Sequence, residues 1–135
     1  MGRLFPIIQP IQITTGRVDT IPMRYERVDE FVTTVSITSG STTATGTITL
    51  PSNVNNIELK SIRAFCTGYT FTIYVKDTSG QPIYAYSDAS ENLVDNNIAV
   101  PVTGNVTVEV VTSTAVTGDT SVDVKLGARY TVMQS

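Results

Sequence analysis

The sequence predicts an all-β fold, an antiparallel β-sandwich led by an extended N-terminal arm, and three observations carry that prediction. Threonine and valine alternate over long stretches, the composition of a pleated, half-buried surface. Clusters of Gly, Asn, Asp and Ser interrupt these stretches at intervals of about 8 to 12 residues, as turns in a sandwich or barrel do. The segment Leu4 to Pro22, LFPIIQPIQITTGRVDTIP, carries Pro6, Pro10 and Pro22. Each proline fixes φ and removes a backbone donor, so neither a helix nor a central strand suits this segment.

The elements follow from period-2 patterning. DEFVTTVSIT puts Phe31, Val35 and Ile37 on one side, and TTATGTITLP puts Ala44, Ile48 and Leu50 on one side with Gly46. The SGS connection at 39–41 is read as a hairpin turn that pairs these two strands antiparallel. In IELKSIRAFC the apolar phase changes, from odd at Ile57 and Leu59 to even at Ile62 and Ala64, which predicts a bulge or a strand crossing between two surfaces. YTFTIYVKD aligns Tyr69, Phe71, Ile73 and Val75, DTSG at 77–80 turns the chain, and PIYAY pairs back. SDASENLVDNN reads as a polar loop, followed by a short strand around Ile98 to Val102. GNVTVEVVTS aligns Val106, Val108 and Val110; SVDVKLGARYTV aligns Val122, Val124, Leu126, Ala128, Tyr130 and Val132. About eight strands favour a jelly roll, and one Cys with no Trp argues against a true immunoglobulin domain. Residues 1–22 are assigned to the arm and 23–135 to a single sandwich domain.

Composition narrows the function more than any motif does. Charged residues make up 16% of the chain and the net charge is -3, which argues against a nucleic-acid binder held by phosphate contacts. Residues 1–27 are nevertheless basic, with Arg3, Arg17, Arg24 and Arg27 against Asp19 and Glu26, while the remainder is acidic. No apolar run approaches the length of a membrane span. Pro6, Gln9, Pro10 and Gln12 interrupt any signal-peptide core, so residue 1 reads as a native start.

Histidine is absent, which removes the usual general base, the Ser-His-Asp and Cys-His arrangements and most zinc or iron sites. No enzyme activity, cofactor or metal is expected. Asp29 with Glu30, and Asp88, Glu91 and Asp95, read as surface acids; the 88–97 loop reads as a solvated turn rather than a calcium site. GSTTATG lacks the lysine of a phosphate loop. Asn105-Val106-Thr107 matches a glycosylation sequon by chance, inside a strand. Cys66 reads as a small buried hydrophobe. Tyr74, Tyr84 and Tyr86 form a candidate aromatic platform for a sugar ring, the basis of an alternative reading as a carbohydrate- or receptor-binding module.

The arm offers the strongest lead. Burying Leu4, Phe5, Ile7, Ile8, Ile11 and Ile13 would contribute about 9–18 kcal/mol at 1.5–3 kcal/mol each. Ordering roughly 20 residues costs about 1–2 kcal/mol apiece, so burial alone does not order it. A preformed groove with backbone hydrogen bonds is required, such as a sheet edge to which IQITT adds as a strand. Its own domain could supply that edge; a neighbouring subunit supplies it equally well and is the expected source, because exchanged arms build oligomers.

The layout of LFPIIQPIQITT, followed at the far end by NIAVPVTGNVTVEVVTSTAVTGDTSVDVKLGARY, resembles the jelly-roll decoration or cement proteins of tailed-phage and archaeal-virus virions. That resemblance implies a non-enzymatic virion protein, a homotrimer, with the major capsid protein as a further partner. It assigns Leu4, Phe5, Ile7, Ile8, Ile11 and Ile13 to the contact.

Overall fold

The alternating stretches form seven antiparallel strands in a computed structural model that describes residues 23–134. They are β1 (Met23–Ile37), β2 (Thr43–Ile48), β3 (Asn55–Lys76), β4 (Pro82–Asp95), β5 (Val100–Val102), β6 (Val106–Thr112) and β7 (Thr120–Gln134). One sheet runs β1-β7-β3-β6-β2, while β4 and β5 also pair with β3. The expected arm, residues 1–22, lies outside the described residues.

Seven strands stand where about eight were expected, because IELKSIRAFC and YTFTIYVKD are one 22-residue strand. Asn55 to Phe65 of β3 pair with β7, and Phe71 to Lys76 pair with β6. Between these halves Gly68 takes φ +84°, a left-handed value that a glycine reaches without steric cost. Against β4 the register steps from Phe65↔Asn92 to Thr70↔Ser90, so four residues of β3 oppose the single residue Glu91. A mismatch of that size bends a sheet, and here it curls the two halves toward each other.

The hydroxyl of Tyr84 measures the curl by donating to Asp95 Oδ2 at 2.8 Å. Both residues belong to β4, and eleven residues of straight strand would separate them by about 36 Å. The polar stretch expected as a loop is therefore largely strand: β4 runs on to Asp95, with Asp88 and Glu91 at positive φ. Its alternation was hidden because only Ala89 and Leu93 turn into the core.

A second irregularity sits where the apolar phase changes. Leu59 pairs with Ala128 and Ser61 with Gly127, leaving Lys60 as the extra residue of a bulge. The bulge lets Ile57 and Leu59, then Ile62, Ala64 and Cys66, all face inward. The expected β1–β2 hairpin is corrected: β1 pairs with β7 and β2 with β6. The turn at Thr38–Ser41 carries the chain across the core instead, so that β2 faces β1. At Gly46 a Cβ would come within 3.1 Å of Thr33 Oγ1 and Val35 Cγ2, which shows how closely these two strands approach.

The core between the curled halves is aliphatic, with Ile37, Ile48, Leu59, Ile73, Leu93, Val108 and Leu126 fully buried around Phe71. Thr112 is the buried polar residue among those described, and its hydroxyl is satisfied by donation to Thr114 O at 2.7 Å. Asn105 has a structural task, since its Oδ1 accepts the Leu50 N–H at 3.0 Å.

Candidate assembly surface

Strands with one buried face present every second side chain outward, and the two outer faces differ in chemistry. On the half built from β2, β6 and the end of β3, registered rows place Thr43 by Val111, Thr45 by Glu109 and Thr47 by Thr107, with Thr72, Tyr74 and Lys76 completing them. Its charges are matched, with Lys76 Nζ 2.9 Å from Glu109. This is a hydroxyl-rich, nearly neutral surface.

The half built from β1, β7 and the start of β3 is different. One row runs Val32, Lys125, Arg63, Val94, and the next runs Thr34, Asp123, Phe65, Asn92. A third places Val28, Arg129, Glu58 and Pro101 side by side. Val28, Val32, Phe65 and Val94 are each more than half exposed. Arg63 Nη2 reaches Glu30 Oε2 at 2.6 Å across β7, beside Gly127, which has no side chain to obstruct it. Glu58 accepts from Lys60 at 3.2 Å and from Arg129 at 2.8 Å, and these cations hold its carboxyl below the usual range. Among the described residues Lys125 has no carboxylate within 4.0 Å. The face therefore alternates exposed apolar side chains with Lys and Arg stems that themselves cover apolar surface. Such a surface suits contact with another protein.

This face is bounded by an edge. β1 pairs only with β7 among the described residues, so the other edge of Met23 to Phe31 presents unpaired backbone groups. Arg27, Asp29 and Tyr130 cluster near it. The Tyr130 hydroxyl donates to Asp29 Oδ2, and that bond, with burial, pushes the phenol upward.

The tyrosines expected as one platform are divided. Tyr74 lies in register with Ala85 and Glu109 on the threonine-rich outer face. Tyr84 and Tyr86 lie opposite Val75 and Ile73, on the side of the buried residues. Tyr84 is half-buried against the core, and burial first, then its bond to Asp95, pushes its phenol far up. Tyr86 is 39% exposed. The acids Asp88, Glu91 and Asp95 do not converge, and no group of three or more candidate metal ligands occurs among the described residues. Leu4, Phe5, Ile7, Ile8, Ile11 and Ile13 lie outside those residues.

The outward apolar set escaped sequence reading. A signal was present in Val28 and Val32, which occupy the polar phase of an otherwise alternating strand. Phe65 likewise stands in the phase opposite to Ile62 and Ala64, and Val94 lies in the stretch expected as a polar loop.

No family model matches the chain, and no curated protein matches it. Among solved structures, the fold is similar to a chain of the cyanophage Pam1 capsid asymmetric unit, with a TM-score of 0.53 and 21% identity over 78% of this chain and 85% of that one. The pre-peptidase C-terminal domain of a Bacillus anthracis collagenase reaches a TM-score of 0.46 at 18% identity, covering 70% of this chain and 86% of the other. A chain of the acid-stable capsid of Helicobacter pylori bacteriophage KHP30 reaches 0.45 at 10% identity, covering 84% and 99%. The Pam1 likeness, alone of the three above 0.5, establishes a shared all-β fold.

Proposed function

We propose that this chain is a non-enzymatic structural subunit of a virion, a jelly-roll-like decoration protein that stabilises a capsid shell. The observation that carries the reading is the fold held in common with a chain of the Pam1 capsid over most of both lengths. The exposed face of Val28, Val32, Phe65 and Val94 supports it, because a solitary domain gains nothing from leaving those side chains in water. In this reading the subunits are trimeric and assemble in the host cytoplasm, with no nucleic-acid or membrane partner. Leu4, Phe5, Ile7, Ile8, Ile11 and Ile13 dock on neighbouring copies or on the major capsid protein. Each copy then stabilises the lattice by mass action, because its arm binds the assembled state.

Light scattering after size exclusion tests this. The full chain is expected to be oligomeric, deletion of residues 1–22 to yield a folded monomer, and Phe65→Ser to weaken association without unfolding the sheet. A full chain that stays monomeric at high concentration refutes the reading. A carbohydrate-binding role is favoured only by the exposure of Tyr86. Glycan-array binding lost in a Tyr84→Ala/Tyr86→Ala double variant, with no oligomer formed, would select it.

A further inference from the structure

The leader's three prolines, Pro6, Pro10 and Pro22, all stand at even positions. In an extended strand the N–H and C=O of one residue point to one edge and those of the next residue to the other. If Ile7 to Thr14 is extended, Ile7, Gln9, Ile11 and Ile13 direct complete donor and acceptor pairs to one edge. Pro10 lies on the other edge, where its missing N–H costs no pairing. Such a strand can join a sheet on one side only and ends it on the other. Its side chains divide less sharply, with Ile7, Gln9, Ile11 and Ile13 on one face and Ile8, Pro10, Gln12 and Thr14 on the other.

The structure supplies one edge placed to receive it. β1 has no partner opposite β7 among the described residues from Met23 to Ile37, and β2 meets it across the core, through the side chains of Thr33 and Val35 near Gly46, without pairing along that edge. We propose that the free edge of β1 receives residues Ile7 to Thr14 of a second copy's leader as an added strand, with the odd-numbered residues turned toward β1. The inference rests on the assembly reading and specifies its contact.

The choice of a second copy follows from the surface that the edge borders. Val28 and Val32 of β1 itself, with Phe65 and Val94 beyond, stand more than half exposed on the outer face that ends at this edge, so a second copy that covers the face brings its own leader beside the edge.

Two matched proline substitutions separate backbone pairing from unspecific greasy contact. Gln12→Pro adds a proline in the existing phase, and Gln9→Pro adds one in the opposite phase; each removes one glutamine and leaves all six apolar side chains in place. In the full chain, Gln12→Pro is expected to self-associate within about threefold of the parent, and Gln9→Pro about tenfold or more weakly. Amide hydrogen exchange reports the site. The alternate β1 amides between Met23 and Phe31 that face away from β7 should be protected in the parent and in Gln12→Pro, and exposed in Gln9→Pro. Equal behaviour of the two variants in an intact oligomer overturns the inference and leaves the assembly reading standing. Protection of those amides independent of protein concentration overturns the second copy as occupant. A parent chain monomeric at every concentration, with the β1 amides exposed, overturns both.

Discussion

Replacing Tyr84 by phenylalanine removes one hydroxyl and, with it, the bond that ties the two ends of β4 together. That hydroxyl donates to Asp95 Oδ2 at 2.8 Å, in a half-buried position where the tyrosine ring packs on the core. Hydrogen bonds to charged groups contribute about 1.5–3 kcal/mol net. Partial solvent access and the second bond that Asp95 keeps, from Asn97 N–H at 3.1 Å, lower the expected loss to about 1–2 kcal/mol. In urea this moves the unfolding midpoint down by roughly 0.5–1 M for a slope near 2 kcal/mol/M. A double-mutant cycle with Asp95→Ala should return a coupling of about 1 kcal/mol. The pH dependence gives an independent check. The folded-state pKa of Tyr84 lies above its unfolded value, so its contribution is complete below about pH 10 and is lost as pH rises from there toward the folded value. The alkaline limb of the stability curve should therefore be shallower in Tyr84→Phe; Tyr130 and Cys66, whose phenol and thiol are also raised, keep part of the slope, and Tyr69, whose phenol is lowered by its bonds to Thr117, opposes it. An unchanged urea midpoint together with zero coupling would refute the claim that this bond holds the curl.

Gly127→Ala should destabilise the fold by about 1–3 kcal/mol, because the new Cβ runs into Ser61 Oγ, and Ser61→Ala in the same chain should restore most of the loss in urea unfolding. The carboxylate of Asp77 accepts from the Ser79 hydroxyl at 2.7 Å and from the N–H groups of Ser79 and Gln81 at 3.0 Å, which hold its pKa below the ordinary value. Its contribution is thus complete above about pH 4 and lost as pH falls through the folded value, so Asp77→Ala should flatten the acid limb of a circular-dichroism titration. Burial, with the negative charge of Glu91 adding to it, pushes the Cys66 thiol up. An aqueous thiol reagent at pH 8 should label Cys66 only in proportion to the unfolded fraction; fast labelling of the native protein would contradict the buried placement.

Much of the fold was legible because alternation is a property of the local backbone. Val122, Val124, Leu126, Ala128 and Tyr130 share a face in any extended strand, and all five are buried. The phase change between Leu59 and Ile62 announced the bulge at Lys60 for the same reason. The candidate surface was far less legible. Its rows join Val32 to Lys125, Arg63 and Val94 from four strands, and no local pattern encodes which strands become neighbours. The tyrosines show the same limit: spacing put Tyr84 with Tyr86 correctly, but the face of Tyr74 depended on its register against Ala85.

Alone, the sequence determined an all-β chain, the inward phase of most strands, the absence of histidine chemistry and an apolar leader whose prolines keep one phase. Only the tertiary structure decided that two expected strands are one, that β1 and β2 meet across the core rather than along an edge, and that β1 ends the sheet among the described residues. The division is physical. Side-chain direction is fixed within a residue or two by backbone geometry, whereas strand pairing is a competition among distant segments that only the whole packed core resolves.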